Sequence, residues 1–172
     1  SEEGVSFEGK HFRYSHVTIA PRPKQQPLPI WIGGSSDAAI RRTAKYGTGW
    51  LGGIQSASQV GPVVTKIKAA TAESGRTIDA DHYGAGFPYR FGSLDEPIVQ
   101  RTAEGLARLG GDLDPATYLA VGGADAIAAR VNDYIAAGIS KFVLRPIAGS
   151  DVEMLEQTAR LAAEVIPRFA GR

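Results

Sequence analysis

Cysteine is missing altogether from these 172 residues. Its absence excludes disulfides and cysteine-ligated zinc and fits a cytoplasmic location. Excess charge of one sign is missing too: 19 basic residues face 18 acidic ones, a formal net charge of +1. Nothing in that balance calls for nucleic acid or an anionic membrane surface as a partner. No apolar run approaches the roughly 20 residues of a membrane span, and no signal-peptide core opens the chain. The histidines, His11, His16 and His82, show no metal-ligand spacing such as His-x-x-x-His, so no metal site is assigned. Neither a Gly-x-Ser-x-Gly elbow nor a Walker sequence occurs, which leaves hydrolase and NTPase readings without support.

What remains is 43% hydrophobic and 22% charged, the profile of one ordinary globular domain over residues 1–172. The first residue is Ser1 rather than Met, as in part of a longer gene product. Residues 1–28 lack sustained periodicity. Phe7 to Phe12 suggests a strand broken by a turn at Gly9. Pro21-Arg22-Pro23 through Pro27 forbids helix, and the whole reads as an extended arm.

A strand–helix rhythm then fills residues 29–172. Ile30 to Ile32 leads through Gly33-Gly34-Ser35-Ser36 into a helix over about 37–46. Ser35 or Ser36 is its natural N-cap, and Gly47 stands where a left-handed C-cap belongs. Ala39, Ile40, Thr43 and Ala44 form its apolar stripe. A short strand around Trp50 precedes a helix carrying Val60, Val63, Val64, Ile67 and Ala70, closed by Gly75. From His82 to Phe91 the chain alternates. Tyr83, Ala85, Phe87, Tyr89 and Phe91 make a bulky face suited to packing on helices. His82, Gly84, Gly86, Pro88 and Arg90 share the other face, whose glycines suit a crowded interior or a close ligand. A helix opened by Asp95 and Pro97 runs to Gly110-Gly111. Another begins at Gly122-Gly123 and delivers the strand Lys141 to Pro146. A final amphipathic helix over about 151–169 carries Met154, Leu155, Leu161, Val165 and Ile166. Four strands, each followed by helix, imply a parallel α/β sheet.

Gly33, Gly34, Ser35 and Ser36 have two readings. As a phosphate cradle, the glycines admit a ligand to the main chain while the serines and the helix N-terminus donate. As a plain βα turn with a serine cap, the same residues are needed. Trp50 on its strand reads as core. Arg90 and Arg145 lie at the C-terminal ends of their strands, where parallel α/β folds bind ligands. They could grip an anionic substrate, or brace the rim as an ion pair. Glu73, Asp79 and Asp81 read as solvated acidic surface, and His82 as a capping or packing residue.

Phe7-Glu8-Gly9-Lys10-His11-Phe12, Pro21 to Pro29, Trp31-Ile32-Gly33-Gly34-Ser35 and Gly47-Thr48-Gly49-Trp50 resemble the luciferase-like monooxygenase family. So does Val121-Gly122-Gly123 through to Ala137-Gly138-Ile139 and Phe142-Val143-Leu144-Arg145-Pro146. The resemblance implies flavin- or deazaflavin-dependent oxidoreduction on a (β/α)8 barrel, with cofactor phosphate at the Gly-Gly-Ser turn. Such a barrel takes roughly 250 residues, and only four βα units are counted here. The fold class is therefore α/β, a partial TIM-type barrel corresponding to the C-terminal half. The N-terminal half normally supplies part of the isoalloxazine pocket and the acid/base histidine, so no catalytic residue is assigned. Where the family commonly has Gly-Asp-Gly-Trp, this chain has Thr48. The Trp-Ile-Gly-Gly segment tilts the cofactor toward F420 over FMN. Arg90 and Arg145 would then meet a small-molecule substrate or the acidic tail of the deazaflavin. The alternative is a non-catalytic half-barrel that binds a phosphorylated ligand or a partner chain. Two open sheet edges imply a homodimer or a missing companion segment.

Overall fold

A computed structural model describes residues 3–110 and 114–171; residues 1 and 2 of the arm and the helix stop at Gly111 lie outside the described residues. The arm holds a hairpin. Strands β1 (Val5–Glu8) and β2 (Arg13–Val17) pair antiparallel, turned where the Gly9 N–H donates to the Phe12 carbonyl at 2.9 Å. Phe7 and Tyr14 stack across it with ring centroids 5.6 Å apart. Residues 11–30 are exposed throughout.

From Trp31 onward strand and helix alternate: β3 (Trp31–Gly33), α1 (Asp37–Tyr46), β4 (Gly49–Leu51), α2 (Ala57–Glu73), β5 (Tyr83–Phe91) and α3 (Pro97–Gly110). There follow β6 (Ala120–Gly122), α4 (Ala124–Ala136), β7 (Lys141–Pro146) and α5 (Asp151–Arg160). The strands from β3 on form one parallel sheet. It has five strands, where the sequence pattern implied four. The addition is β6, three residues that run straight into the Gly123 cap of α4, so its apolar positions merge with the helix pattern. Gly84 pairs with Leu51 of β4 and Lys141 of β7, and Tyr89 pairs with Ala120 of β6 and Pro146 of β7. Strands β4 and β6 thus share one edge of β5, and β7 takes the other. The wall is β3-β4-β5-β7, with β6 set above β4 at the C-terminal end.

The alternation along β5 sorts as its residues imply. Tyr83, Ala85, Phe87, Tyr89 and Phe91 are all buried in the main core with Ile40, Trp50, Val60, Val64 and Ile67. Phe142 and Leu144 pack against the same core. On the other face lie Trp31, Leu51 and Val143, exposed by 39%, 38% and 44%. The Trp31 ring crosses Gly49 so closely that a Cβ there would collide with it, and a Cβ at Gly84 would meet Leu51 Cδ1 at 2.8 Å and the Trp31 ring at 3.1 Å. A second core under β6 gathers Val99, Tyr118, Leu119 and Ile147.

Helix α1 buries Ala39, Ile40, Thr43 and Ala44, the stripe implied by its spacing. Gly47 follows it with φ −71° and ψ 144°, extended rather than left-handed as expected. Its lack of a side chain matters for space, since a Cβ there would sit 2.9 Å from the Thr43 carbonyl oxygen. Gly75, after α2, does adopt the left-handed region at φ +65°. The last helix also departs from its pattern. After Arg160 it widens into a π-turn over Leu161–Val165 and tightens into a 3-10 turn over Ile166–Phe169. Its buried residues are Gln157, Leu161 and Val165, while Met154, Leu155 and Ile166 are exposed. The wider π-turn keeps residues four apart, Gln157, Leu161 and Val165, in one buried row past Arg160.

Candidate functional site

The C-terminal end of β3 supplies the turn. Gly34 lies at φ +96°, a conformation that favours glycine, and a Cβ there would meet that of Ala39 at 3.4 Å. Ser36 is the N-cap of α1: its Oγ accepts from the Ala39 N–H at 3.3 Å, and its carbonyl accepts from the Ile40 N–H at 2.9 Å. Ser35, half-buried, has no hydrogen-bond partner among the described residues. Its N–H and hydroxyl stand at the positive end of the α1 dipole, a setting that suits an anion. Asp37 in the first turn uses part of that field for helix stability, and its carboxylate is 3.9 Å from the Lys66 ammonium.

Trp50 does more than fill the core. Fully buried, it donates its indole Nε1–H to the Gly34 carbonyl at 2.8 Å. The neighbouring Thr48 serves the opposite end of the strands. Its hydroxyl accepts from the Ile30 N–H at 2.7 Å and donates to the Ile30 carbonyl at 3.2 Å, latching β3 to the start of β4.

Arg90 and Arg145 share a sheet face, since Arg145 pairs with Pro88, two residues before Arg90. Their surroundings differ. Arg90 is 8% exposed. Its Nε donates to Glu96 at 2.8 Å, Nη2 donates to Glu96 and Glu153 at 2.6 Å each, and Nη1 donates to the Ile147 carbonyl at 2.7 Å. Glu96 is held below the usual carboxylate range by Arg90 first and the Ser93 N–H second. Glu153 is held below it by the Gly149 N–H first and Arg90 second. Arg90 therefore braces the rim, tying β5 to α3 and α5. Arg145 is exposed and has no ion-pair partner among the described residues. It is the guanidinium left available on the open face.

At the opposite end of the sheet Asp79, Asp81 and His82 bring one donor atom each within 4.8 Å of one another. Both aspartates are exposed. His82 packs against Trp31, ring centroids 5.5 Å apart, with Nδ1 2.8 Å from the Thr48 carbonyl. Lys141 already donates to Asp81 at 3.1 Å. A second glycine turn, Gly122 at φ +143° followed by the exposed N-cap Gly123, opens α4 beside the C-terminal end of β5. The sequence marks it as a helix start, and only the pairing of β6 brings it to the end of the sheet where the first turn also lies.

Residues 1–109 match the luciferase-like monooxygenase family. An uncharacterized protein of Mycobacterium tuberculosis is 32% identical over 71 residues, 41% of this chain and 24% of that protein. Among solved structures, an F420-dependent secondary alcohol dehydrogenase bound to an F420-acetone adduct superposes with a TM-score of 0.75 at 14% identity, covering 96% of this chain and 56% of that one. A monooxygenase from Streptomyces bottropensis gives 0.71 at 20% identity, covering 98% and 57%. The F420-dependent tetrahydromethanopterin reductase of Methanopyrus kandleri gives 0.66 at 18%, covering 97% and 58%. The chain thus spans little more than half the length of these structures, and its sheet is a partial barrel of the same kind. With more than half of its residues inside the family match, this chain belongs to the luciferase-like monooxygenases.

Proposed function

We propose that this chain forms the cofactor-phosphate end of a flavin- or deazaflavin-dependent oxidoreductase, with Gly33, Gly34, Ser35 and Ser36 holding the phosphate. One observation carries the reading: the Ser35 donors, without a partner among the described residues, stand beside the left-handed Gly34 at the start of α1. The donor set fits a phosphate ester, which offers acceptors only, and a glycine main chain lets it approach. When bound, the isoalloxazine or deazaflavin ring supplies hydride chemistry; the protein's part is to bind, orient and exclude water. Arg145, exposed on the open face, pairs with an anionic substrate or with the acidic tail of F420. Of the two cofactors F420 is preferred, on the Trp-Ile-Gly-Gly segment and the F420-dependent enzymes among the similar folds. The ring pocket and the acid/base group belong to a second half-barrel, brought by another copy of the chain or by a companion segment.

Fluorescence titration of the purified chain with FMN and with F420 tests this reading. Both quench with wild type, and Gly34→Asp weakens both by at least about tenfold, because a carboxylate within about 4 Å of phosphate repels it strongly at low effective dielectric. Arg145→Glu weakens F420 and spares FMN. Equal affinity of wild type and Gly34→Asp removes the phosphate from this turn. No binding by either favours the non-catalytic half-barrel.

A further inference from the structure

We propose that Trp50 is the positioning residue of the phosphate turn: its indole N–H, by holding the Gly34 carbonyl, aims the Ser35 N–H at the phosphate. This rests on the phosphate reading of residues 33–36. The Gly34 carbonyl and the Ser35 N–H belong to one planar trans peptide, so they point in opposite directions. Trp50 is fully buried on the helix-facing side of β4, and its Nε1, a donor only, reaches the Gly34 carbonyl at 2.8 Å. With the carbonyl drawn toward the core, the Ser35 N–H is turned away from it, where no described residue meets it. Gly34 by itself would not keep that orientation. A glycine visits both signs of φ about equally, and something outside the turn must select φ +96°. On the other flank the turn is fixed by α1, through the Ser36 bonds to the N–H groups of Ala39 and Ile40. Gly-Gly-Ser and Gly-x-Gly-Trp, 16 residues apart at Gly34 and Trp50, are therefore one device. The first supplies the donors and the second sets their direction.

FMN and riboflavin separate positioning from plain packing, since they share the ring and differ in the phosphate. The ratio of their dissociation constants reads the phosphate contribution alone. Trp50→Phe keeps an aromatic ring in the core and deletes the N–H. The expected result is an FMN dissociation constant raised roughly fivefold relative to that of riboflavin, the scale of one lost hydrogen bond, with riboflavin binding unchanged. A variant that keeps the wild-type ratio, or weakens both ligands equally, overturns the proposal. Wild type that binds both ligands equally overturns the phosphate reading itself. A second measurement needs no Trp50 variant. The chain has two tryptophans, so Trp31→Phe assigns both indole N–H resonances. Titration of wild type with inorganic phosphate is expected to move the Ser35 amide and the Trp50 indole signal together. A Trp50 signal that stays fixed while the Ser35 amide titrates overturns the proposal.

Discussion

At Arg90 one guanidinium holds two carboxylates, and the pH response of the fold follows from that arrangement. Glu96 and Glu153 both have pKa values held down in the folded protein. A depressed carboxylate contributes stability above its unfolded pKa and loses it as pH falls through the folded one. Thermal melts are therefore expected to show wild-type stability falling as pH drops below about 4, the ordinary glutamate range. Arg90→Met removes the cation and leaves the two acids facing each other. It lowers the melting temperature at neutral pH and flattens the acid dependence; an unchanged slope would show that the brace contributes nothing. Sequence placed Arg90 and Arg145 alike at strand ends and could not separate them. The difference is made by Glu96 and Glu153, 6 and 63 residues away from Arg90, distances at which no local pattern reports a contact.

Among the elements, the last helix shows how a backbone irregularity selects its buried face. Its apolar residues are spread round the cylinder, and pattern alone grouped Met154, Leu155 and Ile166, which are exposed, with Leu161 and Val165, which are buried. The sheet instead demands a polar group. The Gln157 amide accepts from the Phe91 N–H at 2.7 Å and donates to the Phe91 carbonyl at 3.2 Å, standing in for a strand neighbour at the end of β5. The π-turn then keeps Leu161 and Val165 on that side. Gln157→Leu fits the space but leaves two buried backbone groups unpaired. A loss of about 1–3 kcal/mol is expected in urea denaturation, whereas Leu155→Gln on the exposed face costs little. Helices α1 and α2 were legible because their stripes pack on the sheet directly, with no competing polar demand. The short β6 was not, because three residues show no period.

At the scale of the whole molecule, helices cover one face of the sheet fully and leave the other partly open among the described residues. Parallel sheets are stable when both faces are packed. Here Trp31, Leu51 and Val143 remain exposed opposite the helices, and the outer edges of β3 and β7 are unpaired among the described residues. An eight-stranded barrel closes both edges, and two copies of the four-strand wall supply that number. Light scattering of the purified chain is expected to give the mass of two 18.2 kDa chains. A monodisperse monomer without a companion segment would overturn self-pairing.

The order of apolar, glycine and capping residues by itself determined the parallel βα rhythm, the bulky and lean faces of β5, and the position of the Gly-Gly-Ser turn. Those features depend on neighbours within a few residues, where strand and helix periods act. The tertiary structure decided the rest: that Arg90 is spent on a brace while Arg145 faces the open side, that β6 joins the sheet, and that Trp50 reaches across to Gly34. Each of these is a contact between distant segments, fixed by how the strands line up. The turn that looked self-contained in sequence is oriented by a tryptophan on the next strand.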